Sequence, residues 1–200
     1  MLRVSNISKS YKTEKVLAQV DFQLEKGQTL SILGRSGSGK STLLKLIAGL
    51  ESPDAGQVEW EGQDLTDVAP QARQMVYLYQ SPLLFPHLNV FENLAFGLRI
   101  RQKKQPTIRQ AVGELLEQID LQDQAKKFPY QLSGGQQQRV NFGRALIIRP
   151  RVLLLDEPFG KLDPETRSQM QILFRNIALE TRMTALFVTH DPKEALLMGD

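Results

Sequence analysis

From Leu2 to Leu24, apolar side chains recur at Leu2, Val4, Ile7, Val16, Val20, Phe22 and Leu24, with polar residues between them. That near-alternation predicts short, half-buried antiparallel strands. Gln57-Val58-Glu59-Trp60-Glu61-Gly62-Gln63 predicts another such piece, a hairpin turning near Gly62. Three runs differ: Leu30-Ser31-Ile32-Leu33, Val152-Leu153-Leu154-Leu155 and Thr184-Ala185-Leu186-Phe187-Val188. Short, continuous and flanked by helix patterns, they predict central strands of a parallel sheet covered on both faces. The middle of the chain, about 81–130, predicts helices. There Ile108, Val112, Leu115, Leu116 and Ile119 share one face after a Pro106-Thr107 start signal. Gln105-Pro106 and Phe128-Pro129 mark candidate subdomain edges. No internal repeat or low-complexity tract interrupts the chain.

With 200 residues, 41% of them apolar, the chain can bury one large domain or a domain plus a subdomain. Its net charge of +3 is compatible with nucleic acid and equally with work beside an anionic membrane surface. The basic cluster Arg99-Ile100-Arg101-Gln102-Lys103-Lys104 reads as a solvated helix end or loop. The absence of cysteine excludes disulfides, thiolate metal sites and thiol redox chemistry. His87 and His190 are too few and too far apart in the chain to suggest zinc. The first residues, MLRVSNISKSY, contain no apolar signal region, and no window approaches the ~20 apolar residues that span a bilayer. The composition thus predicts a soluble chain whose role at a membrane, if any, comes through a partner.

Each of the three apolar runs ends at a chemically distinctive residue, and ligands of open α/β sheets bind at the carboxyl ends of strands. The first run ends at Gly34-Arg35-Ser36-Gly37-Ser38-Gly39-Lys40-Ser41, which fits G-x-x-x-x-G-K-[ST] between a strand and a helix carrying Leu43, Leu44, Leu46 and Ile47. Glycines there let backbone N–H groups wrap phosphate oxygens, and the helix N-terminus adds partial positive charge. Lys40 is expected to contact the β- and γ-phosphates, and Ser41 to bind Mg²⁺. The second run ends at Asp156-Glu157. Asp156 is assigned to Mg²⁺, through Ser41 or a water, and Glu157 to polarising the attacking water as general base. The third run ends at His190, which by itself reads as an ordinary strand-end histidine.

Leu132-Ser133-Gly134-Gly135-Gln136-Gln137-Gln138-Arg139 supplies a second candidate anion site. Ser133 can cap a helix running from about Gln136 to Ile148, and Gly134-Gly135 allow close backbone approach to a phosphate. Together with the phosphate loop and the Asp-Glu pair, in this order, the segment resembles the signature of the ATP-binding cassette (ABC) family over essentially the whole chain.

The resemblance implies an α/β fold: a P-loop NTPase core with a mainly parallel sheet, an N-terminal antiparallel β subdomain and an inserted α-helical subdomain. It implies a single ATPase domain over 1–200, with 1–80 and 136–200 as the nucleotide-binding core and about 81–135 as the helical part. Gly34, Arg35, Ser36, Gly37, Ser38, Gly39, Lys40, Ser41 and Thr42 match the ATP-binding loop. Ser133, Gly134, Gly135 and Gln136 match the signature that meets the γ-phosphate held by the opposite subunit. Tyr11 falls where the family stacks an aromatic on adenine. Gln80 matches a glutamine that senses Mg²⁺ and water, Asp163 a residue that communicates across the dimer, and His190 a histidine on the γ-phosphate.

The family's partners follow by the same resemblance: an ATP-dependent homodimer, transmembrane permease subunits and an extracytoplasmic substrate-binding protein. Nucleic acid is not among them. The cofactors implied are ATP and Mg²⁺, and the location is peripheral, at the cytoplasmic face of the inner membrane. Leu83-Leu84-Phe85-Pro86-His87-Leu88 is the expected permease-docking segment. Bacterial importers of ions, sugars or polyamines fit the 85–98 segment and the lack of a fused span. DNA-repair members insert a long coiled coil that the Ser41-to-Leu132 interval cannot hold, and ribosome-type members carry two cassettes. A non-hydrolysing module would have a damaged site, whereas Lys40, Asp156, Glu157 and His190 are all present. Two features depart from the pattern. Lys161 stands where a small or neutral residue is usual, and Asn141 and Gly143 weaken the helix after the signature by up to ~1 kcal/mol each. Family members usually continue beyond the equivalent of Asp200, which implies a piece of a longer protein or an unusually short member. The regulatory C-terminal domain of sugar-type importers is not expected within residues 1–200, and the cargo is not legible.

Overall fold

The computed structural model describes residues 1–199. Two strands, β1 (Leu2–Tyr11) and β2 (Glu14–Leu24), lead into β3 (Thr29–Leu33) and helix α1 (Lys40–Ala48). After them come β4 (Ala55–Trp60), β5 (Gln63–Asp64), the single turn α2 (Pro70–Arg73) and β6 (Met75–Leu78). The middle of the chain forms α3 (Val90–Ile100), α4 (Gln105–Gln118) and α5 (Gly134–Leu146). The remainder alternates: β7 (Val152–Asp156), α6 (Pro164–Thr181), β8 (Ala185–Thr189) and α7 (Pro192–Met198). The chain divides into two compact units, 1–77 with 151–157 and 174–200, and 78–150 with 158–173.

The first unit contains two four-stranded sheets. One has the order β2-β1-β4-β5 with antiparallel pairing, as the alternating pattern predicts. Its hairpin turns at Glu61 (φ 50°) and Gly62 (φ 81°), the left-handed pair that a tight two-residue turn requires. The other has the order β3-β8-β7-β6, with β3, β8 and β7 parallel. Strands β7 and β8 are buried almost throughout, so their continuous apolar runs reflect cover on both faces. Strand β3, expected to be central, instead lies at an edge of this sheet among the described residues, and Leu33 is half exposed. Strand β6 was not foreseen, although Met75-Val76-Tyr77-Leu78 is an unbroken apolar run.

One core joins these layers: Leu44, Leu46 and Ile47 of α1 pack with Val152, Leu154, Leu186 and Val188 of the parallel strands and with Leu2, Ile7 and Val58 of the antiparallel sheet. Arg73, at the end of α2, is fully buried among them. Its guanidinium donates to the carbonyls of Leu46 and Ile47 (2.9 and 2.8 Å), Val68 (2.8 Å) and Thr66 (2.7 Å). It therefore caps the C-terminus of α1, adding to the Gly49 N–H that Leu46 O already accepts, and places a cation at the negative end of the helix dipole. Burial lowers its pKa from the ordinary value. The fit is close: a Cβ on Gly49 would lie 2.4 Å from Arg73 Nε.

The second unit is helical. Helix α4 buries Ile108, Val112, Leu115 and Leu116, as the 3.6-residue periodicity predicts, against Leu94 and Leu98 of α3 and Val140 of α5. Helix α3 opens on a capping box in which Asn89 and Glu92 satisfy each other's backbone N–H groups. Residues 81–89, expected within the helical region, form turns and loops instead; Asn93 ties them down by accepting from Phe85 N and donating to the carbonyls of Phe85 and Leu88. Helix α5 starts at Gly134, earlier than expected. Gly143 within it has a packing reason: a methyl group there would approach Leu94 to 2.8 Å and Ile119 to 3.2 Å. Among the described residues, no helix is long and apolar enough to cross a membrane.

Replacing Arg73 with Met removes the guanidinium from the Ile47, Val68 and Thr66 carbonyls and leaves Leu46 O with Gly49 N alone, so the chain should lose about 3–5 kcal/mol of stability. Chemical denaturation checks this; a loss below about 1 kcal/mol would show that α1 does not depend on the guanidinium.

Candidate functional site

The parallel register decides which residues share the carboxyl edge of the sheet. Leu33 pairs with Thr189, and Asp156 with Val188. One residue further on, Gly34 N–H donates to Thr189 O (3.2 Å) and Glu157 N–H to Val188 O (3.1 Å). The phosphate loop, the Asp156-Glu157 pair and His190 therefore leave the sheet side by side.

Gly39 precedes α1 with φ 86°, and a Cβ there would meet Val16 O at 3.0 Å and Leu17 at 2.9 Å. Only glycine accommodates both the left-handed backbone and the contact with β2. Lys40, first residue of α1, is buried and donates to the carbonyls of Gly34 (2.7 Å) and Arg35 (2.9 Å). Its Nζ also lies 3.7 Å from Glu157 Oε1. Glu157 Oε2 in turn lies 3.0 Å from His190 Nδ1. Glu157 holds φ 46°, a conformation costly for a residue with a side chain and tolerated where the surroundings over-determine it. Beside this trio, Ser41 Oγ donates to Asp156 Oδ1 (2.9 Å), and Tyr77 Oη donates to Asp156 Oδ2 (2.6 Å). A cleft of about 190 Å³ is lined by Ser36, Gly37, Gly39, Lys40, Ser41, Thr42, Val16 and Glu157.

A hydroxyl beside a carboxylate is the oxygen-only donor set suited to a small hard cation that keeps other positions for phosphate oxygens and water. Ser41 and Asp156 therefore fit Mg²⁺. Among the described residues, no three or more His, Cys, Asp or Glu are grouped to hold a metal ion.

Tyr11 ends β1 and is 44% exposed. Its hydroxyl donates to Glu51, which raises the Tyr11 pKa and lowers that of Glu51. The other expected residues belong to the second unit. Gln80 lies in a bend after β6. Ser133 is the N-cap of α5: its Oγ accepts from Gln136 N (3.3 Å), and Gln136 Oε1 accepts from Ser133 N (3.0 Å). A Cβ on Gly135 would meet Thr166 Cγ2 at 2.5 Å, whereas one on Gly134 would meet nothing within 4 Å. Gly135 thus serves internal packing, and Gly134 keeps an exposed helix N-terminus bare. Asp163 accepts from Thr166 N (3.0 Å) at the start of α6, and this backbone hydrogen bond holds its carboxyl below the usual range. Lys161 donates to Ser81 Oγ (2.7 Å). In the 83–88 segment, Phe85 packs on Phe96 with ring centroids 4.4 Å apart and lies under the Arg144 guanidinium, while Leu83 remains exposed.

Tyr77 and Glu51 were not foreseen as site residues. The apolar run of β6 was a signal for the first; nothing local marked the second.

The model of the ABC transporter family matches residues 17–160. The chain is 45% identical over 203 residues to a sulfate/thiosulfate import ATP-binding protein of Bacillus cereus (strain ATCC 10987 / NRS 248), covering all of this chain and 57% of that protein. It is 46% identical over 199 residues to the sulfate/thiosulfate import ATP-binding protein of Rhodopseudomonas palustris, covering 98% of this chain and 57% of the relative. It is 44% identical over 200 residues to the spermidine/putrescine import ATP-binding protein of Marinobacter nauticus, covering all of this chain and 54% of the relative. The chain thus spans little more than half the length of these relatives.

If Ser41 and Asp156 hold Mg²⁺, the Tyr77 hydroxyl orients the carboxylate from behind. Tyr77→Phe should then raise the Mg²⁺ concentration for half-maximal ATP binding about tenfold. A calorimetric Mg²⁺ titration at fixed ATP measures it; an unchanged midpoint would remove Tyr77 from the site.

Proposed function

This chain belongs to the ABC transporter family, and from that premise we propose that it is the ATP-hydrolysing subunit of a membrane importer. The observation that carries the reading is Glu157, set between Lys40 and His190 and beside the Ser41–Asp156 pair. A carboxylate so placed, next to a phosphate loop, is what in-line attack of water on a phosphoryl group needs. The loop N–H groups and Lys40 bind the β- and γ-phosphates. Glu157 accepts a hydrogen bond from the attacking water, and His190 holds Glu157 from one side while reaching the γ-phosphate from the other. As water adds to the γ-phosphorus its proton passes to Glu157 and then to the released phosphate, while the bond to the bridging oxygen breaks and ADP leaves with that electron pair. Ser41 and Asp156 would hold Mg²⁺, with Gln80 as its sensor, and the cation would supply charge neutralisation on the phosphates.

In this reading 1–200 acts as one ATPase domain, with 1–80 and 136–200 as its core and about 81–135 as its helical part. Two copies form a homodimer around two ATP·Mg²⁺. Each nucleotide lies between the 34–42 loop of one copy and Ser133, Gly134, Gly135 and Gln136 of the other. Asp163 communicates between the sites, and Tyr11 stacks on adenine. Hydrolysis separates the copies and drives a permease docked on the 83–88 segment. The assembly works at the cytoplasmic face of the cell membrane, supplied by an extracytoplasmic binding protein.

Cargo is read elsewhere. Relatives of nearly equal identity are named for a dianion, sulfate, and for a polycation, spermidine. We therefore place selectivity in the permease and the binding protein, and ATP hydrolysis in this chain.

Glu157→Gln should lower ATP turnover at least about 100-fold while keeping nucleotide bound. Under saturating ATP the variant should run as a dimer and co-purify from detergent-solubilised native membranes with a polytopic permease. A monomer under saturating ATP would contradict the shared site, and ribosomal or DNA-repair partners without a membrane protein would contradict the transport role.

A further inference from the structure

Tyr11 lies at the end of β1, just before a tight turn, where an exposed aromatic side chain ordinarily samples several rotamers. Here it does not stand alone. Its hydroxyl donates to Glu51 Oε2. Glu51 is held by its other oxygen, which accepts from Lys45 Nζ at 3.2 Å. Lys9 Nζ lies 5.7 Å from the Tyr11 ring centroid and is anchored on Ser52 O (2.7 Å) and Asp54 Oδ1 (3.0 Å). Asp54 Oδ2 accepts from Ser10 N (2.7 Å), and Asp54 N donates to Ser8 O (2.9 Å). The loop after α1 therefore grips both the backbone before Tyr11 and the tip of its ring.

Lys45 and Glu51 belong to α1 and to the loop that leaves it. That helix begins at the phosphate loop, so the ring orientation is tied to the element that binds the triphosphate. We infer that Glu51 is a positioning residue for the nucleotide base: its carboxylate, braced by Lys45, fixes the orientation of the Tyr11 ring. This rests on the reading of Tyr11 as the adenine platform. Fixing the ring before binding spares the loss of rotamer freedom at binding, which is how pre-organisation raises affinity. Glu51 then acts on the base end of the ligand and not on its phosphates.

The test compares two probes, Mg·ATP and Mg·tripolyphosphate, by calorimetry on the whole chain. Tripolyphosphate has the phosphates without the base. Glu51→Ala and Tyr11→Phe should each weaken ATP binding about three- to tenfold, and the double variant no more than either alone. Glu51→Gln, which keeps an oxygen acceptor, should recover most of the loss. Tripolyphosphate affinity should stay within about twofold throughout. Tyr11→Ala reports separately on the platform and should weaken ATP about tenfold or more. If Tyr11→Ala weakens ATP while Glu51→Ala does not, the positioning role is overturned and the platform stands. If Glu51→Ala weakens both probes equally, Glu51 supports the phosphate loop and the inference is overturned. If Tyr11→Ala leaves ATP binding unchanged, the platform fails and the inference with it.

Discussion

The pairing of β8 with both β3 and β7 is the constraint on which the site depends. A parallel register brings strands out at the same edge, and here it does so to the residue: Leu33 opposite Thr189, Asp156 opposite Val188. Slip β7 by one position and Asp156 and Glu157 exchange faces, since side chains alternate along a strand. The carboxylate opposite Ser41 would then point elsewhere. Burial of β7 and β8 on both faces makes such a slip costly, because every apolar side chain would change its environment together. The core thereby sets the geometry of the chemistry at its edge.

Two local arrangements turn that edge into a site. Gly39 adopts a left-handed backbone against β2, which starts α1 where its N-terminus faces the loop. Glu157 adopts one too, without being glycine, and its backbone stays in the ladder through Val188 O. Its side chain is thereby turned toward Lys40 and His190. A buried lysine needs compensation, and Lys40 finds it in two loop carbonyls and the Glu157 carboxylate. The same charges that settle the lysine also hold the carboxylate where a water could be activated.

Much of this was legible in the sequence because the informative residues are local to one another. The phosphate loop, the Asp156-Glu157 strand exit and the capped Ser133 helix each occupy a few consecutive positions. Period-two and continuous apolar runs separated the antiparallel from the parallel strands. What stayed hidden is tertiary. Tyr77 meets Asp156 across 79 positions, Arg73 meets Leu46 across 27, and Tyr11 meets Glu51 across 40. Nothing local in the chain pairs Tyr77 with Asp156, Arg73 with the Leu46 carbonyl or Tyr11 with Glu51, and only the fold brings them together. The edge position of β3 was hidden for a related reason: an apolar run reports burial, not the number of neighbouring strands. The loops at 81–89 escaped because Asn93, which holds them, looks in sequence like any other helix residue.

The central claim is that one copy completes the site of another, and the absence of cysteine makes it directly measurable. Two singly substituted chains, one Ser36→Cys in the phosphate loop and one Gly134→Cys at the signature helix, are mixed under mild oxidant. A disulfide between the two chains that forms with Mg·ATP and not without nucleotide is the predicted result. No cross-link with ATP, or the same cross-link without it, would contradict a nucleotide shared between copies.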